Sequence, residues 1–69
     1  MKRLQFKTNI NCGNCVRTVT GFLNDVESIE KWQVDTANPE KILTVEGEDV
    51  TVEEVIAAVE DAGFDIEKL

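Results

Sequence analysis

The 69-residue chain is predicted to fold as an α+β sandwich, a four-stranded antiparallel sheet with two helices on one face. Three observations carry that expectation. Apolar residues alternate with polar ones in short segments, and in two longer segments they recur every three to four residues, the spacings of half-buried strands and of amphipathic helices. The segments follow one another as strand, helix, strand, strand, helix, strand. Each helical segment has one apolar stripe, so it must lay that stripe on a sheet.

Taken in order, Leu4, Phe6, Thr8 and Ile10 alternate with Gln5, Lys7 and Asn9, which predicts a first strand. After a loop the period changes, and Cys15/Val16, Val19, Phe22/Leu23 and Val26 mark one face of a helix, with Asn11 or Asn14 able to cap its first turn. Gly21 lies inside that helix, where glycine costs up to about 1 kcal/mol against alanine, so close packing is expected there. Asp25, Glu27 and Ser28 mark the exit, and Ile29, Trp32 and Val34 indicate a second strand, with Phe22 and Trp32 expected in the core. Asp35 to Glu40 is a turn by its chemistry, because Asn38-Pro39 favours turn initiation. Leu43 and Val45 give a third strand, ended by Glu46-Gly47-Glu48-Asp49. Thr51-Val52-Glu53-Glu54 is a capping box that opens a second helix, whose stripe is Val52, Val55, Ile56, Val59 and Ala62. Gly63 stands where a helix-terminating glycine belongs, and Phe64 and Ile66 alternate into a last short strand.

Two βαβ units sharing one sheet give the split arrangement of a ferredoxin-like βαββαβ sandwich. Right-handed crossovers then set the strand order 4-1-3-2, with all neighbours antiparallel. That topology gathers three loops at one end: the loop after strand one, the Asp35–Lys41 turn and the Ala62–Phe64 junction. The acidic Glu46–Glu54 stretch falls at the other end.

A chain of this length is expected to form one domain, residues 1–69, with a small core, since only about 60% of the unfolded surface is buried at this size. No apolar run approaches the roughly 18 residues of a membrane span, and Met1-Lys2-Arg3 is not followed by the apolar stretch of a signal peptide. The default expectation is a cytoplasmic protein with reduced thiols, reaching a membrane only through a partner. Fourteen acids against seven bases give a net charge of −7, which disfavours nucleic acid as a partner. The excess is uneven: residues 1–34 hold five bases and three acids, residues 35–69 two bases and eleven acids. The first half is therefore mildly basic; the uneven charge reads as solvated surface or, more sharply, as a face that steers a charged partner.

The chain has two cysteines, Cys12 and Cys15, and no histidine. They sit in Asn9-Ile10-Asn11-Cys12-Gly13-Asn14-Cys15, between the first strand pattern and the first helix pattern. A helix N-terminus carries about half a positive charge, which favours the thiolate, most of all at Cys15, and Arg17 adds a cation in sequence nearby. Thiolates are soft donors that select Cu(I), zinc or iron–sulfur centres. Structural zinc and iron–sulfur clusters take four ligands, so two sulfurs suit an ion content with two, such as Cu(I) or Hg(II). Zn(II) or Cd(II) would need carboxylates, water or a second molecule. An open two-coordinate site admits a second thiol pair, which is the requirement for handing an ion on.

With these residues in place, the chain resembles a heavy-metal-associated domain, the family of small copper chaperones and of the N-terminal modules of metal-transporting P-type ATPases. The resemblance spans nearly the whole chain: the βαββαβ order, CxxC at the first strand–helix loop and a late Ala-Gly-aromatic junction. The family motif Gly-Met-Thr-Cys-x-x-Cys reads here Asn9 to Cys15, with both ligand positions matched as Cys12 and Cys15. The family's buried methionine falls on Ile10, and the glycine and threonine positions on Asn9 and Asn11. Phe64 falls where the family places a residue near the metal: lysine in cytosolic eukaryotic chaperones, tyrosine in many bacterial ones, phenylalanine in ATPase modules. The chain's own Met1 and its end soon after the fourth strand suit a free-standing chaperone.

The resemblance implies a Cu(I) metallochaperone without enzymatic activity, which passes its ion to a metal-transporting P-type ATPase or a similar CxxC protein. It implies Cys12 and Cys15 as ligands; Ile10, Asn11, Gly13, Asn14 and Phe64 as support; Arg17 as a partner contact; and a monomer that a shared metal can bridge into a dimer. The same fold could hold Hg(II), Zn(II) or Cd(II) instead. A rival of another class is a thiol–disulfide oxidoreductase, since Cys-Gly-Asn-Cys at a strand–helix junction is also a redox motif. Against it, the chain is short for that fold, and its one proline, Pro39, lies in a turn. A third class, a ferredoxin-like interaction domain, would be indifferent to loss of both cysteines. With no histidine and no glycine-rich phosphate loop, hydrolysis and phosphoryl transfer find no support.

Overall fold

The computed structural model describes residues 2–10 and 13–69; Met1, Asn11 and Cys12 lie outside the described residues. The elements are β1 (Lys2–Thr8), α1 (Gly13–Asn24), β2 (Lys31–Asp35), β3 (Ile42–Gly47), α2 (Val52–Asp61) and β4 (Ile66–Lys68). They occur in the predicted order. The strands form one sheet in the order β2-β3-β1-β4, every pair antiparallel, which is the predicted arrangement viewed from the other edge.

Register follows from alternation, because a slip of one residue would turn every apolar side chain to the wrong face. Leu4 stands opposite Val45 and Phe6 opposite Leu43, while Val45 also faces Trp32 and Leu43 faces Val34. The core is Phe6, Leu43 and Val45 of this row together with Ile10, Val19 and Leu23, and Val50, Val55, Ala58 and Val59 from the second half, with Leu4, Trp32 and Val34 packed against it. At about 25 cal/mol per Å², a fully buried Phe6 or Leu43 contributes roughly 1.5–3 kcal/mol each.

The second helix is closed at both ends by its own sequence. The Thr51 hydroxyl accepts from the Glu54 backbone N–H, and the Glu54 carboxylate accepts from the Thr51 N–H, a complete capping box. At the far end Ala62 is the C-cap and Gly63 adopts φ 92°. The Gly63 N–H donates to Glu60 O at 2.9 Å and the Phe64 N–H to Val59 O at 3.2 Å. That pair of bonds is the Schellman termination, and it requires the left-handed backbone that glycine takes without strain.

Four expectations need correction. Phe22 is not core: it is 39% exposed, because Val19 and Leu23 take the inward line of α1 and residue 22 falls about 100° round the helix from Leu23. Trp32 is only half-buried and its indole N–H donates to Asn24 Oδ1 at 3.1 Å. Gly21 is not closely packed, since a Cβ there would meet nothing within 4 Å. Asn14 lies inside α1, where its carbonyl accepts from the Thr18 hydroxyl, so it is not a cap; Asn11, the other candidate, lies outside the described residues. The glycine that is closely approached is Gly47, whose added Cβ would stand 2.1 Å from the carbonyl oxygen of Ser28.

Candidate metal-binding end

Antiparallel pairing places the end of β1, the end of β2 and the starts of β3 and β4 together. Lys7 faces Ile42 on one side and Glu67 on the other, Asp35 faces Ile42, and Thr8 faces Ile66. The β1–α1 loop, the Asp35–Lys41 turn and the α2–β4 junction therefore meet at one end, as predicted. Two Asx turns shape the middle one, with the Ala37 N–H donating to Asp35 Oδ1 and the Glu40 N–H to Asn38 Oδ1. Lys41 closes it at φ 48°, a left-handed conformation that is uncommon outside glycine.

Thr8 ties this turn to the loop. It is a polar residue at an inward position of β1, 8% exposed, and it makes three connections. Its backbone N–H donates to Glu40 O at 3.2 Å, its hydroxyl donates to Lys41 O at 2.6 Å, and the hydroxyl oxygen accepts from the Ile10 N–H at 3.2 Å. Ile10 follows with no exposed surface. Asn9, between them, reaches the other way: its Oδ1 accepts from the Asp65 N–H at 2.9 Å and its Nδ2 donates to Asp65 Oδ2 at 3.4 Å.

Of the predicted site residues, Cys15 is the third residue of α1, half-buried and packed against the core. That position lies in the first turn, where a helix carries partial positive charge. Gly13 and Asn14 are exposed in the first turn. Arg17 is exposed and, two residues along the helix, does not share the face of Cys15. Phe64 is half-buried against the core and adjoins Asp65, the partner of Asn9. Asn11 and Cys12 are outside the described residues, and among the described residues no three His, Cys, Asp or Glu side chains gather into a metal-holding group. Sequence reading passed over Thr8 and Asp65. The signal for Thr8 was present, since a hydroxyl at an inward strand position must find hydrogen-bond partners.

The charge difference between the two halves of the sequence does not map onto the two ends as one basic end and one acidic end. The βαβ halves interleave in the sheet, so Asp35, Glu40 and Asp65 come to the same end as Lys7 and Lys41. The opposite end remains acidic, with Asp25, Glu27, Asp49 and Glu54 lining one surface hollow. Glu54 there also accepts from the Ser28 hydroxyl at 2.5 Å, and that bond, with the Thr51 N–H, holds its carboxyl below the ordinary glutamate value of 4.5.

A βαββαβ sandwich carrying a thiol in the first turn of its first helix defines a class of small metal-binding modules. The model of the heavy-metal-associated domain matches residues 5–65, and the chain belongs to that family. Two Haemophilus influenzae proteins, both described as uncharacterized, are 34% identical over 56 residues, covering 81% of this chain and 81% of each of theirs. Among solved structures, a copper binding domain from HMA7, a P-type ATPase, is 26% identical with a TM-score of 0.85, over 100% of this chain and 95% of that one. The CopZ metallochaperone is 25% identical with a TM-score of 0.83, over 94% of this chain and 98% of its own. The N-terminal domain of ZntA in its Zn(II) form, at 21% identity and a TM-score of 0.80 over 96% and 89%, shares the fold.

Proposed function

We propose that the chain binds Cu(I) through the thiolates of Cys12 and Cys15 and passes it to a partner that presents a similar thiol pair. The observation that carries this reading is the position of Cys15, half-buried in the first turn of α1, with Cys12 three residues before it in sequence. Two soft donors with no histidine in the chain match the coordination of Cu(I) better than that of Zn(II). The likeness to a copper binding domain at 26% identity supports the same ion, and the likeness to a metallochaperone at 25% supports transfer. Ile10, Asn11, Gly13, Asn14 and Phe64 are the proposed support of the ligands, with Ile10 wholly buried, and exposed Arg17 is the proposed partner contact. The partner is a metal-transporting P-type ATPase or another CxxC protein in the cytoplasm, and residues 1–69 act as one module, monomeric unless a shared ion bridges two copies.

Transfer needs no redox change. An incoming thiolate adds to the ion to give a three-coordinate intermediate, one of this chain's sulfurs leaves, and the exchange is repeated. Anaerobic titration of the reduced protein with Cu(I) and with Zn(II), each against a competing chelator, tests the assignment. One tightly held Cu(I) per chain, lost in Cys12→Ser and Cys15→Ser, is the expected result. Tight 1:1 Zn(II) binding with weak Cu(I) binding would refute it, and insulin reduction abolished by Cys12→Ser would place the pair in thiol–disulfide exchange instead.

A further inference from the structure

We propose that Asn9 is a positioning residue for metal retention: its side chain latches the entrance of the thiol loop to the start of the last strand. The proposal rests on the reading that Cys12 and Cys15 hold the ion. In this chain the residue three before Cys12 carries a carboxamide, and the structure shows what it does. Asn9 Oδ1 accepts from the backbone N–H of Asp65 at 2.9 Å, and Nδ2 donates to Asp65 Oδ2 at 3.4 Å. On either side, Thr8 is bound to Lys41 O and Ile10 is wholly buried. The three residues that lead into the loop are thus fixed to three different parts of the fold. Thr8 holds to the β2–β3 turn, Asn9 to the α2–β4 junction, and Ile10 to the core.

The attachments of Thr8 and Ile10 differ in kind from that of Asn9. Thr8 and Ile10 are needed for folding, because each fills a buried position. Asn9 and Asp65 are both exposed, so their bond competes with water and adds little to global stability. What it restricts is local: with the latch closed, residue 9 is held to residue 65 while an ion leaves the thiol pair. The main bond goes to the Asp65 backbone, so the carboxylate of Asp65 is secondary.

The test compares wild type, Asn9→Ala, Asp65→Ala and the double variant in three measurements. One is thermal unfolding, the second the rate at which excess chelator withdraws Cu(I) from the loaded protein, and the third the rate of Cys12 alkylation in the reduced metal-free protein. Asn9→Ala should raise both rates by about fivefold, the factor that one ordinary hydrogen bond is worth, and lower the melting temperature by no more than about 4–8 °C, the shift that the same bond is worth. Asp65→Ala keeps the backbone bond and should change either rate by less than about twofold, and the double variant should match Asn9→Ala. Rates at the wild-type level in Asn9→Ala, or a larger effect from Asp65→Ala than from Asn9→Ala, would overturn the latch. Failure of the wild type to take up Cu(I) would overturn the metal reading and retention with it, and the alkylation rates would still show whether Asn9 holds the loop.

Discussion

Gly47→Ala should destabilise the fold severely while leaving the thiol end untouched, because the two lie at opposite ends of the sheet. An added Cβ would sit 2.1 Å from Ser28 O and 3.2 Å from its carbonyl carbon. Carbon and oxygen tolerate an approach of about 3.3 Å, so the Ser28–Glu30 segment or the end of β3 must shift by about 1 Å. That segment is held by Glu30 N–H to Glu46 O at 2.8 Å, Glu48 N–H to Glu30 Oε2 at 3.1 Å, and the Ser28 hydroxyl to Glu54. Losing two or three such bonds at about 1 kcal/mol each gives roughly 2–3 kcal/mol. A chain of this size is worth on the order of 3–10 kcal/mol in total, and each kcal/mol moves the Tm by about 4–8 °C. The expected fall is therefore about 10–25 °C. Urea unfolding followed by the fluorescence of Trp32, the one tryptophan, and thermal melts by circular dichroism would measure it. A melt within about 3 °C of wild type would refute the reasoning, by showing that the Ser28–Glu30 segment yields without loss.

Other expectations follow from the same geometry. Gly21→Ala meets nothing within 4 Å on an exposed helical position and should stabilise by up to about 1 kcal/mol, read as a higher urea midpoint at unchanged slope. Thr8→Val keeps the shape but leaves Lys41 O and the Ile10 N–H without their partner; a cost of about 2–4 kcal/mol in urea unfolding is expected, and a neutral variant would mean that water replaces the hydroxyl. Because hydrogen bonds from Ser28 and from the Thr51 N–H depress the Glu54 pKa, its ionised form is favoured in the folded state. Its stabilising effect is present above the ordinary value of 4.5 and is lost as the pH falls through the lower folded value. The stability gap between wild type and Glu54→Gln should accordingly be widest near neutrality and close in acid, and a gap independent of pH would contradict the assignment.

Most of the fold was legible because local signals and global topology agree. The alternation through Leu4, Phe6 and Thr8, the Thr51–Glu54 box and Gly63 each specified an element that the structure contains. Handedness then fixed the sheet order. The errors have a common physical source, which is that periodicity states which residues share a face but not which member of an adjacent pair reaches the core. Phe22 and Leu23 were equivalent candidates, and the smaller one is buried. Gly21 drew attention as a costly helix residue, although the tight glycine is Gly47, whose neighbour Ser28 is 19 positions away and invisible to local pattern. The charge of the thiol end is mixed for a different reason, since interleaved strands bring acids from the second half beside bases of the first. At the site, the cysteine pair could be read directly from sequence, whereas the Asn9–Asp65 connection spans 56 positions.

The Schellman turn has a consequence for how this module can diversify. The bonds that deliver residue 64 to the thiol end run from the N–H groups of Gly63 and Phe64 to the carbonyls of Glu60 and Val59, so they use main-chain atoms alone. The path of the backbone there is set by Gly63 and is indifferent to the side chain that follows. Position 64 is therefore an interchangeable slot, in which an aromatic, a phenol or an amine can be substituted with loss of little more than its own packing. Selection can change the side chain offered at that slot by a single codon, while the helix end that presents it is inherited unchanged.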